Sequence, residues 1–133
     1  MDPMTRANLE AALACEALAA LRYSLFADRA EDEGLDEVGQ LFEAICCDQP
    51  REYARKIAAA LGIVHATSEN LATALEGEVT EHHRLYPLFA AQARRVGDLE
   101  AAVLFVTLGR QEHVHADRIR AAVARLGAAD APG

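Results

Sequence analysis

The chain has 133 residues, enough for one domain with a sizeable core. A hydrophobic fraction of 52%, with four prolines and no tryptophan, describes a soluble, closely packed helical protein. A net charge of -8 argues against nucleic acid or an anionic membrane surface as partner, and no apolar run approaches the ~20 residues of a membrane span. The start, Met1-Asp2-Pro3-Met4-Thr5-Arg6, lacks the basic-then-apolar pattern of a signal peptide. Cys15, Cys46 and Cys47 form no CxxC motif, so reduced thiols in a cytoplasmic protein are expected.

Four helical segments are predicted in chain order. The first runs from about Thr5 to Glu33, where Gly34 stops it, and its inner face reads Leu9, Leu13, Glu16, Ala20, Tyr23, Ala27. The second starts at a capping Asp36 and ends near Leu61, before Gly62. Its face reads Val38, Phe42, Ile45, Gln49, Glu52, Lys56. Pro50 lies inside it and must kink or divide it, because proline removes a backbone donor. Thr67 or Ser68 caps the third, which reaches about Arg95 and presents Leu71, Leu75, Glu78, Glu81, Leu85 and Phe89. Asp98 caps the fourth, which continues to about Leu126 and is closed by Gly127. No stretch alternates apolar and polar residues as a strand does. The helical domain is therefore expected over residues 1–127, with 128–133 a disordered tail.

The two halves repeat. A shift of 63 lays Tyr23 on Tyr86, Phe26 on Phe89, Ala27 on Ala90, Phe42 on Phe105, Gln49 on Glu112 and Glu52 on His115. Two helical hairpins of one plan predict an all-α four-helix bundle with approximate two-fold symmetry. Glu16 falls on Glu78 only with a shift of 62, so the third helix carries one extra residue between its glutamate and Tyr86. A π-type irregularity absorbs one residue most simply, and Pro87, which lacks an N–H, fits beside one. It is predicted between Glu81 and Tyr86, where it would turn both Glu78 and Glu81 inward.

In the fourth helix Glu112 and His115 interrupt an apolar seam of Phe105, Leu108 and Ile119. Charged groups in a core are costly unless compensated, and a divalent metal suits a carboxylate beside an imidazole. Glu16, Gln49, Glu52, Glu78, Glu81, Glu112 and His115 form the inward polar set, with every helix contributing. Ferritin-like carboxylate sites take one Glu from each of two helices and Glu-x-x-His from each of the other two. Glu112-x-x-His115 fits that plan, whereas the second helix offers Gln49-x-x-Glu52.

The chain resembles the rubrerythrin family through Glu16 with Arg22-Tyr23 and Phe26-Ala27, then Asn70-Leu71, Gly77-Glu78, Glu81, Tyr86-Pro87, Phe89-Ala90 and Glu112-x-x-His115. The resemblance covers about Ala12 to Ile119 and implies a ferritin-like bundle holding two irons. It implies reduction of hydrogen peroxide with electrons from an external, rubredoxin-like iron–sulfur protein, since no pair of CxxC motifs supplies a domain of that kind. By the same resemblance Glu112 bridges the metals, Glu78 and His115 bind one, Glu16 binds the other, and Glu81 is an additional carboxylate. Tyr23 and Tyr86 would donate hydrogen bonds that orient the carboxylates.

Gln49 and Glu52 depart from the family pattern, so the metal position served by the second helix is the weaker one. The connection from Leu61 to Ser68 spans only ~20–25 Å when extended, which favours a homodimer, with hairpins exchanged between chains as one form. Simpler roles stand beside these: Glu52 paired with a nearby Lys or Arg, His113 on the surface, His65 in a linker, and the cysteines as small core residues. His82 and His83 are expected in solvent, with an inward turn of one at the bulge as the alternative. At the level of function, the alternatives are a metal-binding bundle without turnover and a metal-free interaction bundle.

Overall fold

A computed structural model describes residues 1–48 and 50–129, and for residues 47, 48, 50, 51, 128 and 129 only the backbone. Gln49 and residues 130–133 of the expected tail lie outside the described residues, as does the Cys47 side chain. Every regular element among the described residues is helical: α1 (Pro3–Asp32), α2 (Asp36–Asp48), α3 (Pro50–Leu61), α4 (Thr67–Thr80), a π-helix (Glu81–Leu85), α5 (Tyr86–Val96) and α6 (Leu99–Ala129). No helix among these residues is long and apolar enough to cross a membrane. The chain divides into two compact units, Met1–Val64 and His65–Gly133.

In the first unit, Asp2 caps α1 by accepting from the backbone N–H of Met4 at 2.9 Å and Thr5 at 3.1 Å. That cap satisfies two of the donors that a helix start leaves free, and Pro3 follows where a missing N–H costs nothing. Gly34, at φ 74°, ends the helix in the left-handed region that residues with a Cβ avoid. The chain then reverses through Leu35 N–H bonded to Ala30 O at 2.8 Å. Asp36 is the first residue of α2 rather than its cap; the Leu35 carbonyl accepts from Val38 and Gly39. Its carboxylate and that of Glu37 still favour the positive end of the helix dipole.

α2 and α3 both pack along α1. Ala27 and Ala30 are buried, and so is Gly39. A Cβ on Gly39 would stand 3.2 Å from the Glu31 side chain and 3.5 Å from the Ala27 carbonyl, so the two backbones approach closely here. That approach rotates α2 by about one residue from its expected register. Its inner face is Gly39, Phe42 and Cys46, while Val38 and Ile45 are 40% and 43% exposed. Tyr23, Phe26 and Phe42 form an aromatic cluster, with Tyr23 stacked on Phe42 at 6.0 Å.

The second unit follows the same plan. α4 begins without a side-chain cap at Ala66, contrary to the expectation for Thr67 or Ser68. Asn70 orders the approach instead: its amide donates to His65 O at 2.8 Å and its oxygen accepts from His65 N–H at 2.9 Å. α4, the π-helix and α5 are continuous in sequence and pack against α6. The Tyr86 N–H bonds to Glu81 O, five residues back, which is the π pattern expected here. Gly97, at φ 89°, turns the chain as Gly34 does, and Asp98 precedes α6 with its carbonyl accepting from Ala102. Gly127 does not end α6, which continues to Ala129.

The sequence repeat is therefore a repeat in space. Ala90, Ala93 and Ala102 are buried where Ala27, Ala30 and Gly39 are, each 63 residues later. Tyr86, Phe89 and Phe105 reproduce the first aromatic cluster, with Phe89 and Phe105 centroids 5.4 Å apart against 5.5 Å for Phe26 and Phe42. Such pairs contribute about 0.5–1.5 kcal/mol each beyond the area they bury.

Candidate metal centre

α6 places Glu112 and His115 one turn apart on its half-buried seam with Phe105, Leu108 and Ile119. α4 delivers Glu78 to the same place from its last turn. His115 Nδ1 lies 2.8 Å from Glu112 Oε2 and 3.3 Å from Glu78 Oε2. One donor atom from each of the three residues lies within 4.8 Å of the others. Glu112 is the most enclosed, with its side chain 12% exposed, and His115 the most open at 40%.

The acid–base balance of this cluster follows from its geometry. A hydrogen bond to Glu112 raises Glu78 above its ordinary 4.5, and burial adds to the effect. The same bond lowers Glu112, which His115 also supports as an anion. The hydrogen bond to Glu112 raises His115 above 6.5 although burial opposes it. Two carboxylates this close disfavour each other's charge, which a neighbouring cation relieves: the group therefore holds protons more readily at Glu78 and His115 than isolated side chains would. A divalent cation can take the place of such protons, and the anionic oxygens and the imidazole match the ligand preference of iron, manganese or zinc. The donor set therefore fits a metal on its own chemistry.

Glu81 opens the π-helix, three residues after Glu78. Glu81 is half-buried, and its charge acts on the Tyr86 phenol. Burial chiefly, then the charges of Glu81 and Glu112, raise the Tyr86 phenol above its ordinary 10.0, so it remains a proton donor across the neutral range. Tyr23, its counterpart in the first unit, is half-buried against Phe42.

The remaining expected ligands are in the first unit. Glu16 is exposed on α1. Glu52 is exposed on α3 and pairs with Lys56 at 2.6 Å. Cys15 is exposed, while the Cys46 thiol donates to Ala20 O at 3.3 Å. His113 is exposed, 3.7 Å from Asp117, and His65 is held through its backbone by Asn70. His82 corrects an expectation: it is half-buried, and its Nδ1 lies 2.6 Å from Gly109 O. The alternative of an inward turn at the bulge is the one that holds for His82, while His83 is exposed.

Taken together, fold and donor set define an all-α protein of the ferritin-like class with a carboxylate–histidine group in its second hairpin. A family model described as Rubrerythrin matches residues 7–123. The chain is 31% identical to nigerythrin of Nitratidesulfovibrio vulgaris over 139 residues, covering 95% of this chain and 69% of that protein. It is 32% identical to rubrerythrin of Porphyromonas gingivalis over 135 residues, covering 92% and 67%. With rubrerythrin of Nitratidesulfovibrio vulgaris it shares 32% over 127 residues, covering 86% and 66%. The chain belongs to the rubrerythrin family, whose members bind iron.

Proposed function

We propose that this protein is a non-haem diiron protein of the rubrerythrin type, which reduces hydrogen peroxide in the cytoplasm with electrons from an external, rubredoxin-like donor. The observation that supports this most is the convergence of Glu78, Glu112 and His115, in a chain of this family, with one donor atom of each within 4.8 Å of the others. Glu78, Glu112 and His115 would hold iron, with Glu81 as an additional carboxylate. The family resemblance adds Glu16 as a ligand and Tyr23 as the counterpart of Tyr86, and Glu52, a carboxylate where the family has histidine, would be a hard anionic ligand. Bound iron would supply the electrons for peroxide and stabilise charge on its oxygens. The chain's own part is to place carboxylates that accept protons and, in Tyr86, a phenol that stays protonated and can donate one. The link from Leu61 to Thr67 supports a homodimer, which light scattering tests.

The experiment is anaerobic. The purified chain is loaded with ferrous iron, peroxide is added, and iron oxidation is followed optically beside Glu112→Ala. Binding of about two irons per chain, oxidised faster by peroxide than in the variant, is expected; failure of either sinks the proposal. Glu16→Ala and Glu52→Ala should each weaken the second equivalent. A second possibility, a metal-binding protein without turnover, draws on the Glu52–Lys56 ion pair, which occupies one expected ligand. It predicts about one metal per chain and no response to peroxide.

A further inference from the structure

His82 is the second residue of the π-helix and meets the backbone of α6 directly. A carbonyl oxygen only accepts, so the 2.6 Å contact with Gly109 O fixes the proton on His82 Nδ1. Tyr86, four residues on, approaches the same glycine: a Cβ on Gly109 would stand 3.3 Å from the Tyr86 Cβ. Both side chains thus meet α6 at Gly109. Glu81 immediately precedes His82, and Glu112 lies three residues after Gly109 on α6.

The first hairpin carries the equivalent tie. Ala20 corresponds to His82 by the shift of 62 that holds before the inserted residue, and Cys46 corresponds to Gly109 by the shift of 63. There the Cys46 thiol donates to Ala20 O at 3.3 Å, so the donor sits on the opposite helix. Each hairpin is pinned at the same height by one bond from a side chain to the partner helix's backbone. In the second hairpin that pin falls inside the π-helix.

The location has a consequence. A π-helix holds one residue more than the α period allows; Pro87 in α5 removes a backbone donor beside it, which favours a break there but leaves the exact position of the surplus residue open. If it moved by one residue, the side chain passed over would turn by ~100° about the axis. We propose that His82 is a positioning residue: its bond to Gly109 fixes the inserted residue at Glu81–Leu85 and so sets the direction in which Glu81, three residues after Glu78, leaves the helix. The ligand half of this rests on the metal-binding function proposed above.

The test uses the full chain with His82→Phe, which keeps a ring but removes the donor, and His82→Gln, which keeps a donor. Amide hydrogen exchange on the metal-free protein reads the Tyr86 N–H, whose partner is Glu81 O. A Co2+ titration followed by visible absorption reads the ligand set. His82→Phe is expected to lose about tenfold in Tyr86 protection and about tenfold in Co2+ affinity, with a changed Co2+ spectrum, and His82→Gln to recover part of each. Wild-type exchange in His82→Phe overturns the pin. Lost protection with unchanged Co2+ affinity and spectrum overturns the positioning role. If His82→Phe does not fold, His82→Gln with a wild-type spectrum supports the proposal, and one with the spectrum and affinity of a disrupted site overturns it. If the wild type itself takes up no Co2+, the proposed function fails, while exchange still decides whether the pin exists.

Discussion

Adding one methyl group at Gly109 and one at Gly77 should move stability in opposite directions. Both glycines lie inside helices, where alanine is favoured by about 0.8–1 kcal/mol because it loses less backbone freedom on folding. At Gly77 the new Cβ meets nothing within 4 Å, so Gly77→Ala should stabilise by about 1 kcal/mol. At Gly109 the new Cβ would lie 3.3 Å from the Tyr86 Cβ. That atom is bonded to the backbone beside Pro87, so it cannot turn away as the end of a long side chain would. Relief requires the π-helix to shift from α6, and such overpacking costs about 1–3 kcal/mol. The cost exceeds the propensity gain, so Gly109→Ala should destabilise by about 1 kcal/mol net. Thermal unfolding of the metal-free chain by circular dichroism reads both, at roughly 3–5 °C per kcal/mol for this size. Equal stabilisation by the two variants would refute the close approach of Tyr86 to α6 at Gly109.

Metal affinity should rise with pH. His115 is raised above 6.5, so its contribution to folding is complete below that value and is lost as pH rises through the raised one. Glu78, raised above 4.5, behaves in the same sense, whereas the contribution of the lowered Glu112 is present above 4.5 and lost as pH falls. A cation must displace the His115 proton, so Co2+ should bind more tightly at pH 8 than at pH 6 and release protons at pH 6, as calorimetry in two buffers would show. Equal affinity at both values contradicts that proton balance. Deleting Arg84 removes the surplus residue and should convert the π-helix to α-helix, turning Glu78 and Glu81 by ~100° relative to Tyr86. Retained helicity with Co2+ affinity reduced at least about tenfold is expected; wild-type affinity would show that the insertion does not serve the ligands.

The sequence by itself determined what depends on period. Apolar spacing marked the helices, and the left-handed turns were legible because glycine tolerates positive φ where Gly34 and Gly97 stand. The mismatch between shifts of 62 and 63 located the π-helix, since one surplus residue in a helix leaves few other ways to keep both ends in register. Glu112 and His115 were legible together because a spacing of three on one helix fixes their common face. Tertiary structure alone decided what depends on how helices approach one another. The turn of α2 that points Gly39 and Cys46 inward in place of Val38 and Ile45 follows from the close approach of Gly39 to Ala27, which no periodicity within α2 encodes. His82 is the clearest case. Its neighbours in sequence pointed to solvent, and its partner is a backbone carbonyl on another helix. Every residue offers such a carbonyl, so only the distance between the helices could select this one.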